Sequence, residues 1–158
     1  MPTLVASYGL PRSGKSTILR QLSEKYGAPI VSRDAIRLAL HGHIYASNAE
    51  DFTRSIYKVM IRSLFGAGHE LVLADETHWS QAARDFIKSP DWDTQFITIH
   101  TPPDTCKERA IATDQPWLLE VIDQMMERVE PLSETDKPVE YRYNPAILRI
   151  DGPNDWLP

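Results

Sequence analysis

Short apolar runs alternate along the chain with longer segments in which apolar residues recur every three to four positions. Such runs are typical of buried strands, and the three-to-four repeat is typical of amphipathic helices. The predicted strands are Leu4–Tyr8, Pro29–Ser32, Leu71–Asp75, Phe96–His100 and Ile147–Ile150. The predicted helices are Lys15–Tyr26, Asp34–His41, Ala49–Phe65, Ser80–Ile87, Asp104–Ala112 and Trp117–Val129. This alternation predicts an α/β fold with a parallel sheet of about five strands and helices on both faces.

The segment Glu130–Tyr143 departs from this pattern. It contains Pro131, Pro138 and many charged residues without a clear period, which favours a surface connection.

The whole chain has 158 residues, 42% of them hydrophobic. A chain of this length and composition suits one core, so we expect a single domain over residues 1–158.

A glycine-rich stretch lies between the first predicted strand and the first predicted helix and fits the phosphate-binding pattern G-x-x-x-x-G-K-[ST], called the P-loop. Its backbone N–H groups and the start of the helix are expected to surround the phosphates of ATP. Lys15 should reach the β and γ phosphates, and the Ser16 hydroxyl should bind Mg²⁺. The predicted nucleotide-binding residues are Gly9, Leu10, Pro11, Arg12, Ser13, Gly14, Lys15, Ser16 and Thr17. The motif in this setting predicts the P-loop NTPase fold.

A second polar cluster, Ser32-Arg33-Asp34-Ala35-Ile36-Arg37, follows the second predicted strand. The carboxyl ends of parallel strands are where open α/β sheets bind ligands. A carboxylate there can accept the proton of an attacking hydroxyl, and an arginine one helical turn later can hold an anionic substrate. Asp34 is therefore the candidate general base, with helix capping as its alternative role. Arg33 and Arg37 are candidate substrate ligands.

The third predicted strand ends in Asp75, which is followed by Glu76, Thr77 and His78. An apolar strand that ends in a carboxylate is how P-loop proteins usually present a Mg²⁺-orienting acid. Asp75 is thus the candidate metal residue, although the sequence does not decide between Asp75 and Glu76. Thr77 and His78 lie just beyond the strand and are candidate substrate contacts.

Charge and cysteine content narrow the function classes. The net charge is −5, which argues against a protein that coats nucleic acid through bulk electrostatics. The single cysteine, Cys106, cannot form an internal disulfide, and we expect it to serve packing in a reducing, cytoplasmic setting. No apolar stretch approaches the roughly 20 residues of a membrane span, and no stable protein partner is evident.

One helix carries a possible local contact surface for nucleic acid. Arg54, Lys58 and Arg62 recur every four residues and are expected on one face, opposite Ile56, Met60 and Leu64. This basic stripe (Arg54, Lys58 and Arg62) could follow a DNA backbone or be an ordinary solvated face. Tyr45 could stack on an extruded base or pack internally.

Together these motifs resemble the kinase domain of the polynucleotide 5′-hydroxyl kinases, including related bacteriophage kinases that act on 5-hydroxymethyluracil in DNA. The likeness runs from the amino terminus to about Ala83, and more faintly to about Leu132. The resemblance implies that Lys15 and Ser16 bind ATP and Mg²⁺, that Asp34 activates the acceptor hydroxyl, and that Arg37 contacts an acceptor phosphate. The acceptor would be DNA, and a phage-encoded enzyme would work in the host cytoplasm.

Two positions depart from the pattern of these kinases. Arg12 stands where a glycine is usual, which places a cation beside the site or out in solvent. The lid of such kinases usually supplies an arginine that stabilises the transferring charge, and in the possible lid segment 104–117 the candidate is Arg109, with Arg128 as a second possibility. A kinase for a nucleoside or another small molecule, and a nucleotide-dependent binding module without phosphotransfer, stay open as alternatives.

Overall fold

The computed structural model describes residues 1–44 and 50–142. Five strands form one sheet in the order β2-β3-β1-β4-β5, and every neighbouring pair is parallel. The strands are β1 (Thr3–Tyr8), β2 (Ile30–Ser32), β3 (Leu71–Asp75), β4 (Asp93–His100) and β5 (Pro138–Arg142). The predicted α/β fold with five parallel strands is confirmed.

Six helices connect the strands. They are α1 (Lys15–Tyr26), α2 (Arg33–His41), α3 (Glu50–Gly66), α4 (Gln81–Ile87), α5 (Pro103–Ala112) and α6 (Leu118–Arg128). Side-chain caps fix two of the starts: Ser32 accepts a hydrogen bond from the amide of Ala35, and Ser80 accepts one from the amide of Ala83. The helix positions predicted from periodicity are correct to within one residue at each end.

The two faces of the sheet have separate apolar cores, as expected for a sheet covered on both sides. Leu4 and Ala6 of β1 pack on one face with Tyr57 and Ile61 of α3. Val5 points to the opposite face, where it packs with residues of α1 such as Leu19. This alternation follows from the two-residue period of a strand. The central strand β1 is buried on both sides.

The fifth strand is not where the sequence pattern placed it. Residues 147–150, predicted as a strand, lie outside the described residues. Instead, β5 forms within the segment predicted to be a surface connection, and it pairs with β4 from Phe96 opposite Pro138 to His100 opposite Arg142. Pro138 is the first residue of this strand, where the lost amide donor is tolerated. The prolines and charged residues of the segment 130–143 gave no strand pattern, and the partner strand is distant in sequence.

The buried face of α3 also differs from the prediction. Thr53, Tyr57 and Ile61 are the buried residues of this helix, whereas Met60, which was assigned to the apolar face, is 40% exposed. The aromatic ring of Tyr57 packs in the core. Ile56 and Leu64 of the predicted face do pack against the core, so that prediction is correct for these two residues and wrong for Met60.

A buried ionic cluster fastens the segment before β5 to α4. Arg84 is fully buried, and its guanidinium donates to the carboxylate of Asp136 and to the backbone carbonyls of His78, Glu130 and Pro131. Asp136 also accepts a hydrogen bond of 2.6 Å from Lys88. These bonds compensate the burial of the two charges and hold the chain in position to enter β5.

Among the helices of the described chain, none is long and apolar enough to cross a membrane.

Candidate active site

The loop between β1 and α1 folds tightly because two glycines allow it. A Cβ atom at Gly9 would lie 3.0 Å from the Ser13 hydroxyl oxygen and 3.3 Å from the carbonyl oxygen of Ile99. Gly14 precedes α1 with a φ of 103°, which L side chains rarely adopt. Thr101 donates a hydrogen bond of 2.7 Å to the carbonyl of Ser13 and so ties the loop to the end of β4. The loop is thus held in a compact shape at the start of α1.

Arg12 occupies a left-handed backbone conformation, with a φ of 63°. Glycine adopts this region without steric cost, which explains why a glycine would suit the position. The Arg12 side chain is exposed and lines the cleft above the loop. The sequence left open a cation beside the site or one in solvent, and the structure places Arg12 at the cleft.

Lys15 is the charged group buried beneath this loop. Its side chain is largely buried, and Nζ donates a hydrogen bond of 2.6 Å to the carbonyl of Leu10. Burial lowers the pKa of Lys15 from 10.5 to about 8, while Asp75 and other nearby acids oppose this effect. The ammonium group is therefore mostly charged at neutral pH in a poorly hydrated position, where charges interact more strongly than in bulk water.

The two predicted metal residues lie together. The Ser16 hydroxyl donates a hydrogen bond of 2.7 Å to the carboxylate of Asp75, so the start of α1 meets the end of β3. A hydroxyl and a carboxylate are the oxygen ligands that Mg²⁺ prefers, and the pair fits this ion. Glu76, the other candidate acid, is instead ion-paired with Arg33.

Asp34 lies in the first turn of α2 and is the most open carboxylate of the site. Its side chain is about 65% exposed, and it accepts a hydrogen bond of 2.6 Å from Nη1 of Arg37. The surrounding protein displaces part of its water and raises the pKa of Asp34, an effect that Arg37 opposes. A carboxylate of raised pKa that faces a cleft is suited to accept a proton from a bound hydroxyl.

Both predicted substrate arginines are bound by carboxylates. Arg37 donates to the two oxygens of Glu50 at 2.7 and 2.9 Å. Arg33, which is buried, pairs with Glu50 and with Glu76. Glu50 thus joins α3 to α2 through a shared ionic network that sequence reasoning missed. An acid in the first turn of a helix is so common that no local signal marked this residue.

One cleft of about 800 Å³ is lined by most of these groups. Among the predicted site residues, Gly9, Leu10 and His78 do not line it. The P-loop from Pro11 onward contributes to the lining together with Asp34, Arg37 and Glu50. Residues of α6 form an apolar wall that the sequence analysis did not anticipate, namely Leu118, Val121 and Met125, with Trp117 just before the helix. Thr77 also lines the cleft, as expected for a substrate contact.

The position of His78 contradicts the prediction that this residue contacts the substrate. Its side chain is fully buried and does not line the cleft. Nδ1 lies 2.6 Å from the carbonyl of Ser7 and Nε2 lies 3.5 Å from the Tyr57 hydroxyl, while burial lowers the pKa of the ring. The strand end turns this histidine toward the core, so its position favours packing and not substrate contact.

The possible lid segment begins with α5. Arg109 projects from this helix to the P-loop, where Nη1 donates a hydrogen bond of 3.1 Å to the carbonyl of Arg12. Arg128, the second candidate, lines the cleft from the end of α6. Cys106 of the same segment is buried and donates weakly to the carbonyl of Thr101, in agreement with a packing role.

The sheet order, the loop and the Ser16–Asp75 contact define a P-loop domain with the fold of the P-loop kinases. The chain belongs to the AAA_33 family, described as an AAA domain, whose pattern matches residues 4–132. No curated protein sequence matches the chain significantly.

Solved structures share the fold at low sequence identity. A gluconokinase from Sinorhizobium meliloti 1021 has a TM-score of 0.62 at 19% identity, over 89% of this chain and 82% of that chain. The APS kinase CysC of Mycobacterium tuberculosis has a TM-score of 0.64 at 16% identity, over 88% of each chain. A chain of the Pnkp1/Rnl/Hen1 complex has a TM-score of 0.61 at 22% identity, over 68% of this chain and 38% of that chain. These similarities establish the fold.

Proposed function

We propose that this protein is an ATP-dependent phosphotransferase that transfers the γ-phosphate to a hydroxyl group. The observation that carries the proposal is the placement of two groups of residues in one cleft. Lys15 and the Ser16–Asp75 pair come from the P-loop and the end of β3, and the hydrogen-bonded Asp34 and Arg37 come from α2. This arrangement suits a nucleotide held by the first group and an acceptor held by the second.

The reaction requires a base and charge stabilisation. Asp34 accepts the proton of the acceptor hydroxyl, whose oxygen forms a bond to the γ phosphorus while the bond to the oxygen bridging the β and γ phosphorus atoms breaks and ADP leaves. Lys15 stabilises the phosphate charge, and Arg109 does so from the lid side. Ser16 and Asp75 would hold Mg²⁺, which would supply positive charge beside the phosphates. Arg37 orients Asp34 and the acceptor.

We further propose that the acceptor hydroxyl belongs to nucleic acid, either a 5′-hydroxyl end or the hydroxymethyl group of 5-hydroxymethyluracil in DNA. The basic stripe supports this acceptor. Arg54 and Lys58 lie over the ring of Phe86, and within the described residues none of the three cations of the stripe has a carboxylate partner. The stripe runs along α3, which begins at the cleft with Glu50, so a polyanion could extend from the site along this helix.

A small-molecule acceptor is the second candidate. Arg33 and Arg37 are already paired with Asp34, Glu50 and Glu76, so this side of the cleft carries no surplus of positive charge for a phosphate. A neutral hydroxyl compound would fit such a surface. The gluconokinase of similar fold is named for a small-molecule substrate.

Transfer of labelled γ-phosphate from ATP with Mg²⁺ separates these candidates. The acceptors are a 5′-hydroxyl oligonucleotide, an end-capped duplex with 5-hydroxymethyluracil, free nucleosides and simple polyols. Label on either DNA supports the nucleic-acid acceptor, and label on a small compound alone replaces it with the second candidate. ATP binding without any transfer contradicts phosphotransfer and favours a nucleotide-dependent binding module.

A paired variant tests the basic stripe directly. Lys58→Ala with Arg62→Ala should raise the KM for a DNA acceptor and reduce its dependence on salt, because phosphate contacts release counterions. Arg20→Ala with Lys25→Ala removes the same charge from α1, away from the cleft, and serves as the control. Equal effects of the two pairs on KM would contradict a specific role for the stripe.

A further inference from the structure

Glu50 makes ionic contacts with both arginines of α2 at the cleft. Its two carboxylate oxygens accept hydrogen bonds from Nε and Nη2 of Arg37, at 2.7 and 2.9 Å, and one of them also accepts a bond from Arg33. Two parallel hydrogen bonds between a guanidinium and a carboxylate fix the plane of the arginine as well as its position. Glu50 belongs to α3, whereas both arginines belong to α2.

The bidentate contact determines which hydrogen-bond donor of Arg37 reaches Asp34. With Nε and Nη2 directed to Glu50, the group nearest Asp34 is Nη1, which donates to Oδ1 at 2.6 Å. We propose that Glu50 is a positioning residue for phosphotransfer: it holds Arg37 in the one orientation that binds the general base and faces the acceptor. This inference rests on the proposed function of the same cleft.

The network also sets the charge around Asp34. The groups that act on Asp34 are Arg37 and Lys15, which favour the carboxylate, and Asp75, which disfavours it. Glu50 compensates much of the charge of Arg37, and the pKa of Glu50 is itself lowered chiefly by its hydrogen bond from Arg37. Without the Glu50 carboxylate, Arg37 is no longer held in the orientation that binds Asp34, so the charge and the hydrogen bond by which Arg37 lowers the pKa of Asp34 are weakened. The pKa of Asp34 should then rise.

A purely structural role would give a different result. Glu50 is about a third exposed but its arginine partners are largely buried, so a role in stability alone would lower the melting temperature and the affinities for ATP and the acceptor together. Its neighbour Asp51 is an exposed acid in the same helical turn, and no arginine is paired with its carboxylate among the described residues. Asp51→Asn therefore removes the same charge from the same helix end without touching Arg33 or Arg37, and serves as the matched control.

The experiment compares Glu50→Gln, Glu50→Asp and Asp51→Asn with the unmodified protein. The titration of the Asp34 carboxyl is followed by ¹³C NMR, with Asp34→Asn used to assign the signal. The KM of the acceptor, the kcat, the Kd of ATP and the melting temperature are measured in parallel. The NMR titration needs no turnover, so it reports on the network independently of the proposed activity.

We expect Glu50→Gln to move the Asp34 titration to higher pH by half a unit or more, and to raise the acceptor KM about tenfold, with the Kd of ATP within twofold. Glu50→Asp keeps the charge on a shorter side chain. Its Asp34 titration should lie close to that of the unmodified protein, whereas its acceptor KM should return only part of the way to the unmodified value. Should Glu50→Gln fail to fold, Glu50→Asp carries the test through an acceptor KM raised threefold or more.

Three results would overturn the inference. They are an unchanged Asp34 titration, equal effects of Glu50→Gln and Asp51→Asn, and a loss of acceptor and ATP affinity in step with a lower melting temperature. A shifted titration in a protein that phosphorylates no acceptor would retain the positioning of Arg37 and reject the proposed function. An active enzyme with an unshifted titration would retain the proposed function and reject the positioning of Arg37 by Glu50.

Discussion

Lys15 is a buried cation whose cost to folding can be measured separately from its use in binding. A pKa lowered from 10.5 to about 8 corresponds to about 3.4 kcal/mol of disfavoured charge, at roughly 1.36 kcal/mol per pKa unit. The hydrogen bond from Nζ to the Leu10 carbonyl offsets about 1 kcal/mol of this. Lys15→Met, which removes the charge and keeps the length, should therefore raise the free energy of unfolding by about 2 kcal/mol.

The sign of the pH dependence follows from the same shift. Because the pKa in the folded state is below that in the unfolded state, the unfolded chain binds more protons between about pH 8 and 10.5. The stability of the unmodified protein should therefore rise with pH through this window relative to Lys15→Met. The difference between the two proteins is largest below pH 8 and closes toward pH 10.5.

Urea unfolding and thermal melting without added nucleotide measure this effect. At neutral pH, Lys15→Met should melt about 4–8 °C higher than the unmodified protein and should lose measurable ATP affinity. Arg20→Met is the control, because Arg20 is exposed on the same helix and its change should leave stability within about 0.5 kcal/mol. A Lys15→Met protein that is less stable, or equally stable at every pH, would refute the reasoning.

Three further predictions concern other residues. Asp34→Asn should reduce kcat by about 10²–10⁴-fold with the Kd of ATP unchanged. In the unmodified enzyme, kcat should fall as the pH drops through the raised pKa of Asp34. Transfer assays from pH 4 to 8 test both expectations. Asp75→Asn should weaken the dependence of ATP binding on Mg²⁺, which calorimetry with and without the ion measures. Arg84→Met should lower the free energy of unfolding by about 3–5 kcal/mol, because it leaves Asp136 without its buried partner; a loss below about 1 kcal/mol would contradict this.

Local patterns predicted those parts of the fold whose signals are local. The helices α1 to α6 were located by apolar periodicity, and in the structure Ser32 and Ser80 cap two of them. The P-loop was recognised because its glycines must stand at fixed positions for the loop to turn. β5 was missed because the strand forms by pairing with β4, more than 40 residues earlier in the chain, and nothing within Pro138–Arg142 records that pairing.

The same limit applies to the candidate site. The sequence predicted that Asp34, Asp75 and Lys15 lie at one edge, and they line one cleft, because each follows a strand or lies in the P-loop. Glu50 was missed because its role depends on the packing of α3 against α2. His78 was misassigned because the direction in which a residue points after a strand end is set by tertiary contacts, here with Ser7 and Tyr57.

The buried pair of Arg84 and Asp136 affects where the chain can be shortened. The family match ends at residue 132, and every residue that lines the cleft lies between Pro11 and Arg128. A fragment that ends at the family boundary would therefore retain the whole cleft yet lose Asp136 and β5. It would keep an unpaired guanidinium in the interior and expose the edge of β4 to other chains. Aggregation of such a fragment would thus say nothing about the chemistry of the cleft.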